Sequence, residues 1–335
     1  MTANLSTDYL GLSLKNPLVV SACPLTEDPA ILRRLEDYGA AAAVLPSLFE
    51  EQIVHNDVAF SDAQDFGTES FAEALSYFPE PQDYRTGPTD YLEMIEQAKK
   101  AVSIPIIGSL NCTSNGGWTS YAKRMEEAGA DAVELNVYFV ATDLDASAVD
   151  VESQYLDAVT AVKKSISVPL AVKVGPYFSS MGNMAKRLVE AGADGLVLFN
   201  RFIQPDIDLR ELNISAKLQL SMPGELLLPL RWAAILRGRL DASLAVTSGI
   251  DDAEGLLKAL LCGADVGMVA STLYLHGLDH VETLLDGLSQ LMRTKHLESV
   301  EQIKGSLSSE NCPDPGAFAR GNYMKALTSF TGPPI

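Results

Sequence analysis

Short apolar runs recur along this chain, each separated from the next by a stretch of helical periodicity. Four runs follow a Gly-Ala pair. Gly39-Ala40 leads into Ala41 to Leu45, Gly129-Ala130-Asp131 into Ala132 to Leu135, Gly192-Ala193-Asp194 into Gly195 to Phe199, and Gly263-Ala264-Asp265 into Val266 to Val269. Three others begin at a proline: Pro17-Leu18-Val19-Val20, Pro105-Ile106-Ile107-Gly108 and Pro169-Leu170-Ala171-Val172. Ser243-Leu244-Ala245-Val246 is a copy of that kind without the proline. The two kinds alternate, so the pattern predicts eight strands, and their unbroken apolar character suits parallel strands covered on both faces.

Helices are predicted between them, over Asp28 to Tyr38, Tyr91 to Val102, Thr119 to Ala128, Glu152 to Ser165, Met181 to Ala191, Pro229 to Arg237, Asp252 to Leu261 and His280 to Met292. Several end at a glycine, a C-cap signal because glycine enters the left-handed region without strain. Eight strands alternating with eight helices predict an α/β fold, a (β/α)8 TIM barrel. No GxGxxG follows an early strand, which disfavours an open doubly wound sheet. Two long connections, Ser47 to Pro88 and Arg201 to Leu228, fall as insertions on the C-terminal face. The barrel is expected over 1–297, with 298–335 an extension, a final helix plus an arm, packed on its outside.

Composition narrows the function. The chain has 335 residues, 47% hydrophobic and 21% charged, enough for a large core. A net charge of -19 argues against nucleic acid and anionic membranes as partners, since both are polyanions. No apolar run approaches the roughly 20 residues of a membrane span. The four cysteines, Cys23, Cys112, Cys262 and Cys312, form no CxxC and no Cys/His cluster, so neither disulfides nor zinc are expected. A reducing cytoplasm is the expected compartment.

In such a barrel the residues closing each strand face the active-site mouth. These are Ala22 and Cys23, Pro46 and Ser47, Asn111, Asn136, Lys173, Asn200, Thr247-Ser248-Gly249, and Ala270-Ser271-Thr272. Three asparagines at equivalent positions offer donors and acceptors suited to a planar heterocycle. The small polar residues after the seventh and eighth strands suit a phosphate, or are ordinary helix caps. Lys173, closing an apolar strand, needs an anion or acceptors; it either pairs with Glu134 on the neighbouring strand or serves a ligand.

These same residues resemble the dihydroorotate dehydrogenase family, flavin mononucleotide (FMN) barrels of pyrimidine synthesis. The likeness runs from about residue 10 to 285 through Asn16-Pro17 to Ala22, Glu134-Leu135-Asn136, Val172 to Tyr177, Ser248-Gly249-Ile250 and Cys262-Gly263-Ala264-Asp265 to Ser271. It implies that Ala22 and Cys23 line the flavin ring, and that Ser47, Asn111, Asn136 and Lys173 bond its polar edge. Asn200 then faces the substrate, and Ser248, Gly249, Ala270 and Ser271 hold the phosphate. Lys173 would stabilise negative charge on the reduced ring while hydride passes between a small-molecule substrate and flavin N5.

Two departures stand out. Where the family carries a lysine after the second strand, this chain has Pro46; where it carries a Cys or Ser base after the fourth, this chain has Phe139, with Ala141 replacing a substrate-binding asparagine. A substrate other than dihydroorotate is therefore expected. Tyr138 or Asp143, with Asp145 nearby, are candidates to move the proton, and Arg201 to hold an anion. The other readings are a flavin- or phosphate-binding barrel without catalysis and a lyase or synthase gripping a sugar phosphate. The electron acceptor is unspecified, the family likeness implies a homodimer, and no catalytic role is expected of His55, His276, His280 or His296.

Overall fold

The computed structural model describes residues 3–53, 87–112, 119–201, 204–215, 218–313, 323–325 and 327–329. Eight parallel strands close a barrel: β3 (Leu18–Val20), β4 (Ala42–Phe49), β5 (Ile106–Cys112), β6 (Ala132–Val137), β7 (Leu170–Val174), β8 (Gly195–Leu198), β11 (Ser243–Thr247) and β12 (Val266–Val269). Neighbours pair in chain order, and β12 returns to β3. Helices Pro29–Asp37, Pro88–Ala101, Thr119–Glu127, Ala148–Ser165, Met181–Glu190, Leu227–Leu236, Ala253–Cys262 and His280–Thr294 follow the strands. Their buried faces, such as Met184, Ala185 and Leu188, pack onto the barrel's outer surface.

The repeated Gly-Ala-Asp has a structural reason. Gly129, Gly192 and Gly263 take φ of 101°, 116° and 120°, which turns the chain from helix to strand. The aspartate that follows exchanges bonds with the strand before it. Asp131 accepts from the Ile106 amide at 2.7 Å, Asp194 from Leu170 at 2.7 Å and Asp265 from Leu244 at 2.7 Å. Each also meets a helix cation: Lys99, Lys163 and Arg237 respectively. Gly39-Ala40 lacks the aspartate, and there Asn16 does comparable work, donating to the Gly39 carbonyl and accepting from the Leu18 amide. These staples fix the register at the bottom of the barrel and leave its upper rim for the site.

Below the barrel, β1 (Thr7–Tyr9) and β2 (Leu12–Leu14) form an antiparallel hairpin. Tyr9 and Leu10 enter the barrel floor among Val19, Ala132, Ala171, Val197 and Ala245. On the opposite face the connection after β8 contains a second hairpin, β9 (Asp206–Asp208) with β10 (Asn213–Ser215). The other long connection extends β4 to Phe49, and residues 54–86, with His55, lie outside the described residues. Beyond residue 298 the described chain forms a helical turn, Val300–Ile303, after which Gly305, Leu307 and Ser309 donate backbone bonds to Leu260, Leu261 and Ala234. Among the described residues no helix is long and apolar enough to cross a membrane, and no group of three side chains could hold a metal.

Candidate active site

The strands carry the amides to one level. Asn111, Asn136 and Lys173 are successive partners across β5, β6 and β7, so they stand side by side at the rim. Asn200, just past β8, donates from Nδ2 to Asn136 Oδ1 at 2.5 Å. One layer lower, Ser47 and Ser109 share a hydroxyl bond of 2.8 Å. The β4–β5 register shifts between Val44 and Ser47, where Pro46 interrupts the strand without an amide to offer.

Lys173 is buried, and its Nζ lies 3.7 Å from Oε1 of the wholly buried Glu134. That distance is an ion pair and not a hydrogen bond. Cys23 is buried beside the first strand, and burial pushes its thiol up despite the amides of Leu25 and Thr26 and the Tyr274 hydroxyl.

Against the last two strands lies a cavity of about 150 Å³, whose lining does not include Cys23, Ser47, Asn111 or Asn136. Ala22, Lys173, Asn200, Ser248, Gly249, Ala270 and Ser271 all line it. Ser248 and Gly249 have φ of 75° and 76°, turning their amides out of the strand line. Neither Ser271 nor Thr272 caps its helix by side chain, and the helix after β11 is capped by Asp252. Thr272 Oγ1 instead donates to Asp251, which also meets His276 at 3.2 Å, while the Asp251 carbonyl meets His280. These two histidines brace the loop from outside.

A larger cavity of about 450 Å³ adjoins, sharing Phe199, Asn200, Arg201 and Ser248 and walled by Tyr177 and Glu225. Arg201 is already engaged there, donating to Glu225 at 3.0 and 3.3 Å and to the Gln219 carbonyl. Tyr138 and Asp143 line neither cavity. Tyr138 is half-buried beyond β6; Asp143 is exposed and accepts from the Asp145 amide. Phe139 packs against the core and Ala141 is exposed.

Sequence reasoning missed Ser221. Its amide donates to Ser271 Oγ at 3.0 Å, and its hydroxyl accepts from the Gly249 amide at 3.3 Å, so it bridges the two loops at the cavity. The only available signal was a serine inside an insertion, which has many ordinary explanations.

The residues present fit a phosphorylated heterocycle. A Cβ at Gly249 would stand 2.6 Å from the Leu226 amide nitrogen and 2.9 Å from the Met222 carbonyl, so the 222–226 segment can pack this closely on the loop only because the residue is glycine. Donors there come from backbone and hydroxyl groups, while amides and one ammonium wait beside them. This is the architecture of the flavin-binding oxidoreductase barrels. Residues 85–292 match the model of the dihydroorotate dehydrogenase family, and the chain belongs to that family. It is a flavin-dependent oxidoreductase acting on CH–CH bonds, with FMN as its cofactor.

Curated relatives are distant but span the chain. The catalytic subunit of dihydroorotate dehydrogenase B (NAD(+)) from Methanocaldococcus jannaschii is 25% identical, covering 90% of this chain and 97% of that protein. Its counterpart in Thermoplasma acidophilum is 24% identical, covering 90% and 98%. The chloroplastic dihydropyrimidine dehydrogenase (NADP(+)) of Arabidopsis thaliana is 21% identical, covering 90% and 76%.

Proposed function

We propose that this protein moves hydride between N5 of FMN and a neutral cyclic or planar substrate, with dihydroorotate a poor substrate or none. The observation carrying this reading is that the inner cations are spoken for. Lys173 faces Glu134, Arg201 is held by Glu225 and Gln219, and Pro46 stands where the family resemblance calls for a lysine. Of the described residues lining the two cavities, the remaining cation is Arg231, exposed at the outer wall. A buried carboxylate without a cation carries a heavy desolvation cost, and a neutral ring does not.

In this reading Ala22 and Cys23 flank the flavin ring; Ser47, Asn111, Asn136 and Lys173 bond its polar edge. Ser248, Gly249, Ala270 and Ser271, joined by Ser221, hold the phosphate, and Asn200 faces the substrate. When bound, FMN supplies the two-electron chemistry. Tyr138 is the better placed of the proton candidates, because Asp143 is solvated. Its phenolic hydroxyl is the group that would carry the proton. Arg201 acts as a clasp on the segment from Gln219 to Glu225 rather than as an anion site. The designation of two relatives as catalytic subunits agrees with an electron partner outside this chain. The family likeness and the commonness of two-fold symmetry support a cytoplasmic homodimer as the working form, with residues 298–335 an extension of the barrel.

A flavin-binding barrel without turnover is the second reading, favoured by Phe139, which cannot take a proton. Anaerobic stopped-flow with purified holoprotein separates the two. Bleaching is expected with an uncharged dihydropyrimidine and not with dihydroorotate. Reduction by dihydroorotate at roughly 1–10³ per second, the usual enzyme range, refutes the neutral-substrate reading. Silence with every reduced ring favours the binding barrel.

A further inference from the structure

We propose that Glu134 is a positioning residue: its carboxylate holds the Lys173 ammonium at the floor of the flavin site and offsets part of its charge, and so sets the reduction potential of the bound flavin. The inference rests on the flavin reading above. Glu134 is completely buried and Lys173 is 8% exposed. Neither oxygen of Glu134 has a hydrogen-bond partner, and the hydroxyl of the equally buried Tyr9 has none either. The register neighbours of Glu134 are Ala171 and Ser109, whose hydroxyl is taken by Ser47, and Ala132, Val197 and Ala245 belong to the apolar cluster inside the barrel. A carboxylate withdrawn from water in this way persists only where a nearby charge holds it. Lys173 at 3.7 Å is that charge.

The ladder explains the geometry. Glu134 pairs with Ala171 and Asn136 with Lys173, so Glu134 is two residues deeper on the same inward face, beneath the ammonium. Burial pushes the Tyr9 phenol well up, helped by the charges of Glu134 and Asp265, so Tyr9 stays neutral and leaves the charge on Glu134 to Lys173. In a low-dielectric interior, a negative charge behind the ammonium weakens the positive potential it projects upward. The protein then holds the reduced flavin anion less tightly than a lone lysine would.

Glu134→Gln keeps the shape and removes the charge. Spectroelectrochemical titration of the FMN-loaded protein should show reduced flavin favoured over oxidised by about tenfold more than in the parent. For a two-electron couple this is an upward shift of about 30 mV. Lys173→Met should shift the potential the other way and lower the melting temperature by stranding Glu134. Adding Glu134→Gln to Lys173→Met should recover that stability. An unchanged or lowered potential in Glu134→Gln overturns the proposal, as does a double variant no more stable than Lys173→Met alone. The stability cycle needs no flavin. A parent protein that takes up no FMN therefore overturns the flavin reading, while the cycle still decides whether the two charges hold one another.

Discussion

Replacing Gly249 by alanine tests the phosphate cradle most directly. The residue has φ of 76°, where a side chain costs roughly 1–2 kcal/mol. The added Cβ would meet the Leu226 amide nitrogen at 2.6 Å and the Met222 carbonyl at 2.9 Å. Both are backbone atoms, so no rotamer change relieves the contact, and overpacking of this kind adds about 1–3 kcal/mol. The sum, about 2–5 kcal/mol, lies below the stability of most domains, so the barrel should fold. The strain is relieved most cheaply by moving the segment that carries Ser221, whose hydroxyl accepts from the Gly249 amide. FMN affinity should therefore fall by about thirtyfold or more, the equivalent of the lower estimate. The assay is quenching of flavin fluorescence on titration into apoprotein, run in parallel with riboflavin, which has the same ring and no phosphate. Riboflavin affinity should change much less. An FMN dissociation constant within threefold of the parent's, or an equal loss for riboflavin, would refute the placement of the phosphate.

Asp265→Ala should destabilise the barrel by about 3 kcal/mol or more in urea unfolding. It strips a partner from the Leu244 amide, Arg237 and the buried Lys304, and a loss under 1 kcal/mol would show the staple to be decorative. Glu36 should contribute stability that disappears in acid. Partial burial works against its charge, but the Ser103 hydroxyl and amide and the Ile104 amide outweigh this and hold the carboxyl below its usual value. The unfolded chain then binds the proton more readily, so the contribution is complete above the ordinary carboxyl range and is lost as pH falls through the lower folded value. Melting curves of Glu36→Gln and the parent should draw together as the pH falls; a gap that does not narrow in acid would contradict this.

The barrel was legible because its periodicities are local. Every predicted strand core lies at or within a residue of an observed strand, since unbroken apolar runs of four to six residues between capped helices leave few alternatives. The Gly-Ala-Asp repeat could be seen as a repeat, but its purpose could not. Each aspartate reaches a strand more than 20 positions earlier, and such pairings appear only when the barrel closes. The rim amides were likewise readable from strand ends, whereas the company they keep was not. Arg201 reads as a free anion clasp along the chain and proves to be held by Glu225, 24 positions on. Ser221 carried no signal, yet it bridges the loops after β11 and β12. Which segments become strands, and which residue types reach the rim, can be read along the chain because propensity, period and capping act over a few neighbours. Which charges are already neutralised, and which backbone atoms crowd the cradle, emerges on folding, because Coulombic and steric terms depend on distance in space and not along the chain.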